Sequence, residues 1–326
     1  MSVLPCLPDT SVTTAFDGAT GLLKRVGCTP LVQLKHLPAA YGVSDKVAVM
    51  AKLEWFNPGG SVKDRAALSI VMDAERRGLL TPGVELLDAS SGNTGIAYAM
   101  VAASRGYKVT LCLPANANTE RKRTLLAYGV NLVLTSPMEG SDGAILKARA
   151  LHAEHPGRYY YADQYSNDAN WRAHFESTGP EIWRQTDGRV THWVTGLGTS
   201  GTFVGTSRYL KFRNPTIRCY TVEPDSPFHG LEGLKHMETA LTPSIYAPEL
   251  ADEHLGAPTE ESLRLVRALA REEGLLAGVS SGAAVWGALE VAKRLDEGVV
   301  VTLFPDGGDR YLSEEHVWRE DEDDAE

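Results

Sequence analysis

The sequence lacks the features that mark membrane, secreted and zinc-binding proteins. It contains only four cysteines, Cys6, Cys28, Cys112 and Cys219, and no two of them have the C-x-x-C spacing. This pattern predicts neither a disulfide framework nor a metal site, and a reducing cytoplasm is the simpler expectation. There is also no apolar run of membrane-spanning length, and the N-terminus has no basic region followed by an apolar stretch. We therefore expect a cytoplasmic protein with no membrane partner and no metal.

An excess of positive charge is missing as well. The 326 residues carry 42 acidic and 32 basic side chains, which gives a net charge of -10. A chain of this charge has no electrostatic support for a nucleic-acid partner. Part of the negative charge lies in Glu320–Glu326, which has the composition of a disordered, solubilising tail. The composition of the whole chain, 43% hydrophobic and 23% charged, is typical of a soluble globular protein.

Short apolar runs alternate with longer amphipathic stretches along most of the chain, which is long enough for two subdomains. The candidate strands are Val47–Leu53, Glu85–Asp88, Lys108–Leu113, Asn131–Leu134, Arg158–Tyr161, His192–Thr195, Arg218–Val222 and Val299–Phe304. Candidate helices begin near Ser61, Thr94, Asn118, Gly140, Asn170, Ser200, Thr259 and Gly282. This alternation predicts an α/β fold with mostly parallel sheets and helices on both faces. The stretch from Pro224 to Gly256 breaks the pattern and is predicted to be a long functional loop or cap.

One lysine stands out because of its position. The run N-P-G-G-S-V-K-D-R at residues 57–65 follows the first candidate strand and places Lys63 where a strand gives way to a helix. A lysine can form a Schiff base with a carbonyl compound when its surroundings lower the pKa of its amine. For this run alone, a surface lysine followed by a solvated Asp64–Arg65 pair is the more ordinary interpretation. The reactive interpretation therefore depends on motifs elsewhere in the chain, and under it the Asp64–Arg65 pair is expected to brace the lysine turn.

Two glycine-rich loops follow candidate strands, at Ser90–Gly95 and Gly196–Thr202. In open α/β sheets, ligands bind at these carboxyl ends of strands. The second loop has the dinucleotide spacing G-x-G-x-x-G, with Glu223 at a suitable distance, so a nicotinamide dehydrogenase is one hypothesis. Its hydroxyl-rich composition instead favours a cradle for a terminal phosphate at a helix N-terminus. A glycine turn that only allows close packing is the third interpretation.

A reactive lysine and a phosphate cradle together suggest pyridoxal phosphate, which needs an amine for its aldehyde, a phosphate anchor and a polar group at its ring nitrogen. The run G-V-S-S-G at residues 278–282 opens a candidate helix and offers a group of the third kind. It contains serines and no aspartate. Because a serine hydroxyl does not keep a pyridinium protonated, we expect a ring nitrogen that stays neutral and a weaker electron sink.

At this point several ordered motifs resemble one family, the cysteine synthase/cystathionine β-synthase group of fold type II pyridoxal-phosphate enzymes. The likeness runs from about Gly27 to Ser313 and is greatest to the B type of O-acetylserine sulfhydrylase. The motifs that carry it lie at residues 59–67, 91–95, 179–183, 198–202, 278–282 and 308–313. The resemblance implies two three-layer αβα subdomains with mostly parallel twisted sheets and the cofactor in the cleft between them. The expected smaller subdomain is 48–155, and the larger one is 20–47 plus 156–316. Residues 1–19 would be an extension and 317–326 the acidic tail.

The resemblance also implies a role for individual residues. Lys63 would be the Schiff-base lysine and the catalytic base, Asn93 would bind the ring hydroxyl oxygen, and Ser280 would face the ring nitrogen. The expected phosphate ligands are Gly198, Thr199, Ser200, Gly201 and Thr202. The expected ligands of the substrate carboxylate are Ser90, Ser91, Thr94 and Gln164.

The implied reaction is a β-replacement that makes L-cysteine from O-acetyl-L-serine and sulfide through an aminoacrylate, with thiosulfate as another candidate donor. An O-phosphoserine sulfhydrylase, with Arg121 or Arg123 near the phosphate, and a cystathionine β-synthase are the alternatives on the same scaffold. The segment at residues 225–236 is the expected entrance, and its cationic side chains are His229, Lys235 and His236. They would suit an anionic substrate, or they are solvated loop residues. Family members are usually homodimers, so the resemblance also implies a homodimer.

Overall fold

Two sheets organise residues 16–319, the part of the chain that the computed structural model describes. Cys6, the first fifteen residues of the predicted extension and the acidic tail Glu320–Glu326 lie outside these described residues. The strands are β1 Leu31–Gln33, β2 Val47–Leu53, β3 Glu85–Ala89, β4 Val109–Pro114, β5 Asn131–Thr135, β6 Tyr159–Tyr161, β7 His192–Gly196, β8 Arg218–Pro224, β9 Glu253–Ala257 and β10 Gly298–Phe304. No helix within residues 16–319 has the length and apolar character needed to cross a membrane.

The helices alternate with these strands. The α-helices are α1 His36–Ala40, α2 Lys63–Arg76, α3 Asn93–Arg105, α4 Thr119–Ala127, α5 Gly140–Glu154, α6 Asp168–Ala173, α7 Gly179–Gln185, α8 Gly201–Arg213, α9 Thr259–Glu272, α10 Val279–Ala292 and α11 Glu315–Trp318. A π-helical turn at His174–Thr178 joins α6 to α7. Short 3-10 turns occur at Gly21–Arg25, Glu54–Phe56, Pro137–Glu139, Pro248–Leu250 and Gly308–Tyr311.

The larger sheet has the strand order β1-β2-β10-β7-β8-β9, and the smaller sheet has the order β5-β4-β3-β6. All pairs are parallel except β1 with β2. Parallel strands covered on both faces are expected to be apolar throughout. In β10, Val300 and Phe304 pack into one core cluster, while Val301 and Leu303 pack into another. The predicted α/β class with mostly parallel sheets and helices on both faces is confirmed.

All eight predicted strands are present, and two further strands were not predicted. β1 has only three residues, which is too short for a periodic signal. β9 lies partly within the stretch that was predicted to be a loop. It was missed because this edge strand buries only alternate residues, Leu255 and Ala257, and so has no continuous apolar run. Between β8 and β9, residues 226–251 form a long loop with one 3-10 turn, as expected for this region.

The predicted subdomain boundaries do not follow sheet membership at two strands. β2 was assigned mostly to the smaller subdomain, but it pairs with β10 along its whole length and belongs to the larger sheet. β6 was assigned to the larger subdomain, but it pairs with β3 in the smaller sheet. Strand pairing between residues distant in sequence decides both cases, and the remaining boundaries stay a prediction.

Candidate active site

A cavity of about 440 Å³ lies where β3, β7 and β10 end. It brings together every predicted site residue except Gly201: Lys63, Ser90, Ser91, Asn93, Thr94, Gln164, Gly198, Thr199, Ser200, Thr202 and Ser280. These residues come from five separate stretches of the chain. The carboxyl ends of parallel strands are the ordinary ligand-binding edge of such sheets.

Lys63 is the first residue of α2, and the turn before it is fixed by the larger sheet. The Val62 amide donates a hydrogen bond of 2.8 Å to the carbonyl oxygen of Pro305, just after β10. Burial lowers the pKa of the Lys63 amine, although the charges of Asp306 and Glu54 oppose this shift. A lower pKa increases the fraction of free amine, which is the form that attacks a carbonyl or removes a proton.

Asp64 and Arg65 are both buried, so the interpretation as a solvated surface pair is wrong. Asp64 accepts a hydrogen bond of 2.5 Å from the Gly59 amide, and burial raises the pKa of its carboxyl to about 7. Arg65 instead bonds Glu54 and Glu181, with its Nε 2.7 Å from Glu54 Oε2 and its Nη1 2.7 Å from Glu181 Oε1. The two side chains brace the lysine turn separately rather than as a pair.

The loop before α3 lines the cavity at the N-terminus of that helix. Gly92 precedes α3 and gives no side-chain cap, so the positive end of the helix faces this loop. The Thr94 hydroxyl donates a 2.7 Å hydrogen bond to Gln164 Oε1, and Gln164 Nε2 donates one of 3.2 Å to the carbonyl oxygen of Ala89. Ser90 Oγ accepts from the Gly95 amide at 3.1 Å. Free N–H groups and hydroxyls at a helix N-terminus suit a carboxylate.

The second glycine-rich loop leads into α8. Ser200 has a left-handed backbone, with φ of 66°, and its buried Oγ has no hydrogen-bond partner among the described residues. A Cβ on Gly198 would lie 2.5 Å from the carbonyl oxygen of Gly233, and one on Gly201 would lie 2.0 Å from Asn170 Oδ1. Both glycines are therefore required by close packing. An unpartnered hydroxyl beside a helix N-terminus suits a phosphate group.

Ser280 is the second residue of α10, is buried, and lines the same cavity. The Ser280 hydroxyl lies near Gly233 of the long loop, since a Cβ on that glycine would be 4.0 Å from Ser280 Oγ. The hydroxyl can donate or accept a hydrogen bond, and it carries no charge.

Three residues beside Asn93 were not predicted to belong to the site. Asp306 Oδ2 accepts hydrogen bonds from Asn93 Nδ2 at 2.7 Å and from the Tyr311 hydroxyl at 2.8 Å, while the Arg310 guanidinium donates to Asn93 Oδ1. Burial raises the pKa of the Asp306 carboxyl. The rule used for the other loops, a polar residue just after a buried strand, also applies to Asp306 after β10.

The cationic residues of the long loop do face the cavity. His229, Lys235 and His236 all line it, and Lys235 Nζ lies 4.8 Å from the centre of the Tyr165 ring. Burial lowers the pKa of Lys235. Their position agrees with the predicted entrance, while their role stays a prediction.

The geometry around Glu223 does not favour the dehydrogenase hypothesis. Glu223 lies in β8, but its Oε2 accepts a 2.7 Å hydrogen bond from the Met237 amide. The carboxylate that a dinucleotide site would use for the ribose therefore fastens the long loop instead.

The comparisons with known proteins agree with this site. The chain matches the family model described as "Pyridoxal-phosphate dependent enzyme" over residues 22–306. It is 51% identical over 297 residues to a cysteine synthase of Aquifex aeolicus, covering 90% of each chain. It is 45% identical over 288 residues to cysteine synthase B of Pseudomonas aeruginosa, covering 88% of this chain and 94% of that protein.

A solved structure gives the same result at the level of the fold. The crystal structure of a cysteine synthase from Entamoeba histolytica superposes with a TM-score of 0.90 at 34% identity, covering 99% of this chain and 95% of that one. The resemblance seen in the sequence motifs is thereby confirmed. The chain belongs to the pyridoxal-phosphate-dependent enzymes, in the group that contains the cysteine synthases.

Proposed function

We propose that this protein makes L-cysteine from O-acetyl-L-serine and sulfide by pyridoxal-phosphate-dependent β-replacement. The observation that carries the proposal is a single cavity that joins a lysine of lowered pKa, a phosphate-type loop and a carboxylate-type helix N-terminus. Relatives named cysteine synthase at 51% and 45% identity support the same reaction.

The residues present fit the cofactor. The unpartnered hydroxyl of Ser200 and the crowded glycines beside it leave a small, polar cradle at the N-terminus of α8. In the proposal this loop, Gly198 to Thr202, holds the phosphate, Asn93 binds the ring hydroxyl oxygen and Ser280 faces the ring nitrogen. Lys63 provides the amine to which the cofactor attaches. When bound, the cofactor supplies an electron sink for the bonds at the substrate α-carbon.

The other side chains position and deprotonate the amino-acid substrate. Ser90, Ser91, Thr94 and Gln164 are proposed to bind its carboxylate at the N-terminus of α3, where N–H groups and the helix dipole favour an anion. The Lys63 amine is proposed to take the α-proton and later return it, which requires the free base that its lowered pKa favours. Because the Ser280 hydroxyl carries no charge, it is proposed to leave the ring nitrogen unprotonated, as a carboxylate would not.

The alternatives on this scaffold gain less support. Of the two arginines considered for a phosphate ester, Arg123 is exposed and does not line the cavity, while Arg121 lines it but is paired with Glu232. Among residues 16–319, no side chain of the cavity singles out homocysteine as the nucleophile. We further propose that the enzyme works in the cytoplasm as a homodimer, as the family resemblance implies.

The test of the proposed function is a donor and acceptor screen on the purified holoenzyme. O-acetyl-L-serine, O-phospho-L-serine or L-serine would each be offered with sulfide, thiosulfate or homocysteine, and the products identified by mass spectrometry. Cysteine from O-acetyl-L-serine and sulfide should form fastest. A preference for serine with homocysteine, or no product from O-acetyl-L-serine, would refute the proposal.

A change at Gly201 should weaken cofactor binding. Alanine there would place Cβ 2.0 Å from Asn170 Oδ1, and Asn170 cannot retreat freely because its Nδ2 donates to the carbonyl oxygen of Gln164 at 2.7 Å. Since the loop must shift to relieve this overlap, we expect affinity for pyridoxal phosphate to fall about tenfold or more. Fluorescence titration of the apoenzyme measures the effect. Gly256→Ala is the matched control, because its Cβ would meet nothing closer than 3.4 Å; equal affinities in the two variants would contradict the prediction.

A further inference from the structure

Arg121 places a fixed positive charge beside the substrate loop. It lies on α4, is only 7% exposed, and lines the cavity. A Cβ on Gly92 would lie 4.0 Å from Arg121 Nη1. The guanidinium carbon also lies over the Tyr311 ring, 5.3 Å from its centre, at cation–π distance. A buried arginine at this point would attract an anionic group on the substrate side chain.

Glu232 neutralises the charge of Arg121 by forming an ion pair with it. It lies on the long loop between β8 and β9, and its carboxylate contacts both terminal nitrogens of Arg121, with Nη2 3.1 Å from Oε2. Burial disfavours the charged form of Arg121, but the hydrogen bond and charge of Glu232, together with the charges of Tyr311 and Asp306, more than offset this, so the pKa of Arg121 is raised. The pair is bidentate, which is the strongest geometry for an arginine and a carboxylate.

A second cation of the cavity, Lys235, also has a carboxylate near it, although no hydrogen bond joins the two. Lys235 lines the cavity together with Asp142, whose charge opposes the effect of burial on the lysine pKa. Apart from Lys63, the two long cationic side chains that line the cavity, Arg121 and Lys235, thus each have a carboxylate nearby. A phosphate ester, which carries up to two negative charges, would meet Glu232 at close range and would find both terminal nitrogens of Arg121 already paired, with only the buried Nε left without a partner among the described residues.

We propose that Glu232 is a specificity-determining residue: by neutralising Arg121 it makes the cavity accept an uncharged acetyl ester and reject a phosphate ester. This inference rests on the proposed function, because it names the side chain that selects among its amino-acid donors. The carboxylate of Glu232 causes the selection, because it repels the phosphate ester and competes with it for Arg121. No contact with the acetyl group is required.

The decisive change is Glu232→Gln, which keeps the shape of the side chain and removes its charge. The Glu232 side chain is 48% exposed, so the substitution should leave the fold intact. We expect the ratio of kcat/KM for O-phospho-L-serine to that for O-acetyl-L-serine to rise about tenfold or more over the wild-type ratio. Inorganic phosphate should bind the E232Q holoenzyme more tightly by a similar factor, measured by tryptophan fluorescence or calorimetry. Binding of phosphate reports the charge effect without turnover.

Three further variants show whether Arg121 is responsible. Glu238→Gln makes the same charge change on the same loop at an exposed residue that does not line the cavity, and it should alter neither quantity. Glu232→Ala should reproduce the gain. The double variant E232Q/R121Q should lose it again, with circular dichroism used to establish that it is folded.

The outcomes separate this inference from the proposed function. An unchanged donor ratio and unchanged phosphate affinity in both E232Q and E232A would overturn the role of Glu232. A wild-type preference for O-phospho-L-serine would do the same, as would a gain that persists in a folded double variant. If the wild type makes no cysteine from O-acetyl-L-serine and sulfide, the proposed function fails, while a gain in phosphate affinity in E232Q still supports the neutralisation of Arg121.

Discussion

Replacing Lys63 with alanine is expected to reduce cysteine formation by about 10³-fold or more and to abolish the visible absorption that arises from covalent attachment of the cofactor. The substitution removes both the amine that holds the cofactor and the base that moves the α-proton. Among the described residues, one other lysine lines the cavity. This is Lys235 on the long loop between β8 and β9, and its Nζ lies over the Tyr165 ring. Turnover with O-acetyl-L-serine and sulfide and the absorption spectrum would be measured on the same preparation.

Two variants make this result specific to Lys63. Lys63→Arg keeps the positive charge but cannot form the covalent bond, so it should be as inactive as K63A. Lys108→Ala removes an exposed lysine and should leave turnover unchanged. Normal turnover in K63A would remove Lys63 from its assigned role, and loss of the visible band only in Lys235→Ala would transfer that role to Lys235.

Replacing Arg65 with alanine is expected to lower the free energy of unfolding by about 3–5 kcal/mol, the largest stability effect we predict. Arg65 is fully buried and bonds Glu54 and Glu181 through all three of its guanidinium nitrogens. Lys52 Nζ lies 2.7 Å from Glu181 Oε2, so the cluster contains two acids and two bases. Without Arg65 the two buried carboxylates would share the single charge of Lys52. Urea unfolding of the apoenzyme measures the difference.

The matched control lies on the same helix. Arg76 pairs with Asp73 at 3.5 Å, but its side chain is 69% exposed, so Arg76→Ala should change stability by no more than about 0.5 kcal/mol. Arg65→Lys keeps a positive charge but not the planar guanidinium group. Its free energy of unfolding should therefore lie between those of the wild type and R65A. Equal effects of R65A and R76A would contradict the account.

The same cluster predicts a pH dependence. Burial alone would raise the pKa values of Glu54 and Glu181, but the charge and hydrogen bonds of Arg65 together with the charge of Lys52 outweigh it and hold both below their usual range. Carboxyls whose pKa is lowered by folding contribute stability above their unfolded pKa of about 4.3, and this contribution is lost as the pH falls below that value. Loss of stability on acidification should therefore be smaller in R65A than in wild type.

The strands and the ligand-binding loops could be predicted from the sequence because their signals are local. Apolar runs such as Val47–Leu53 are buried on both faces, and their length separates them from helices. Glycines and hydroxyls just after two such runs identified the loops near Asn93 and Ser200. β9 was missed because an edge strand buries only every second residue.

The contacts among the site residues could not be predicted in this way. Asn93 is held by Asp306, which lies 213 positions further along the chain, and Arg121 is paired with Glu232 at a separation of 111. Neither spacing produces a pattern in the sequence. Asp64 and Arg65 do not form the expected pair for the same reason, since Arg65 bonds Glu54 in the 3-10 turn after β2 and Glu181 in α7.

The sequence by itself determined which residue types occur at the turns that open three helices: the lysine at 63, the hydroxyl-rich glycine loop and the serine at 280. These follow from local backbone requirements, because a turn, a helix N-terminus and a phosphate each restrict the residues beside them. Only the tertiary structure decided which charges are exposed, buried or cancelled. Parallel pairing of distant strands buries Arg65 between two carboxylates and brings Glu232 onto Arg121. Charge in a protein depends on burial and on the nearest partner, and both are fixed only when the chain folds.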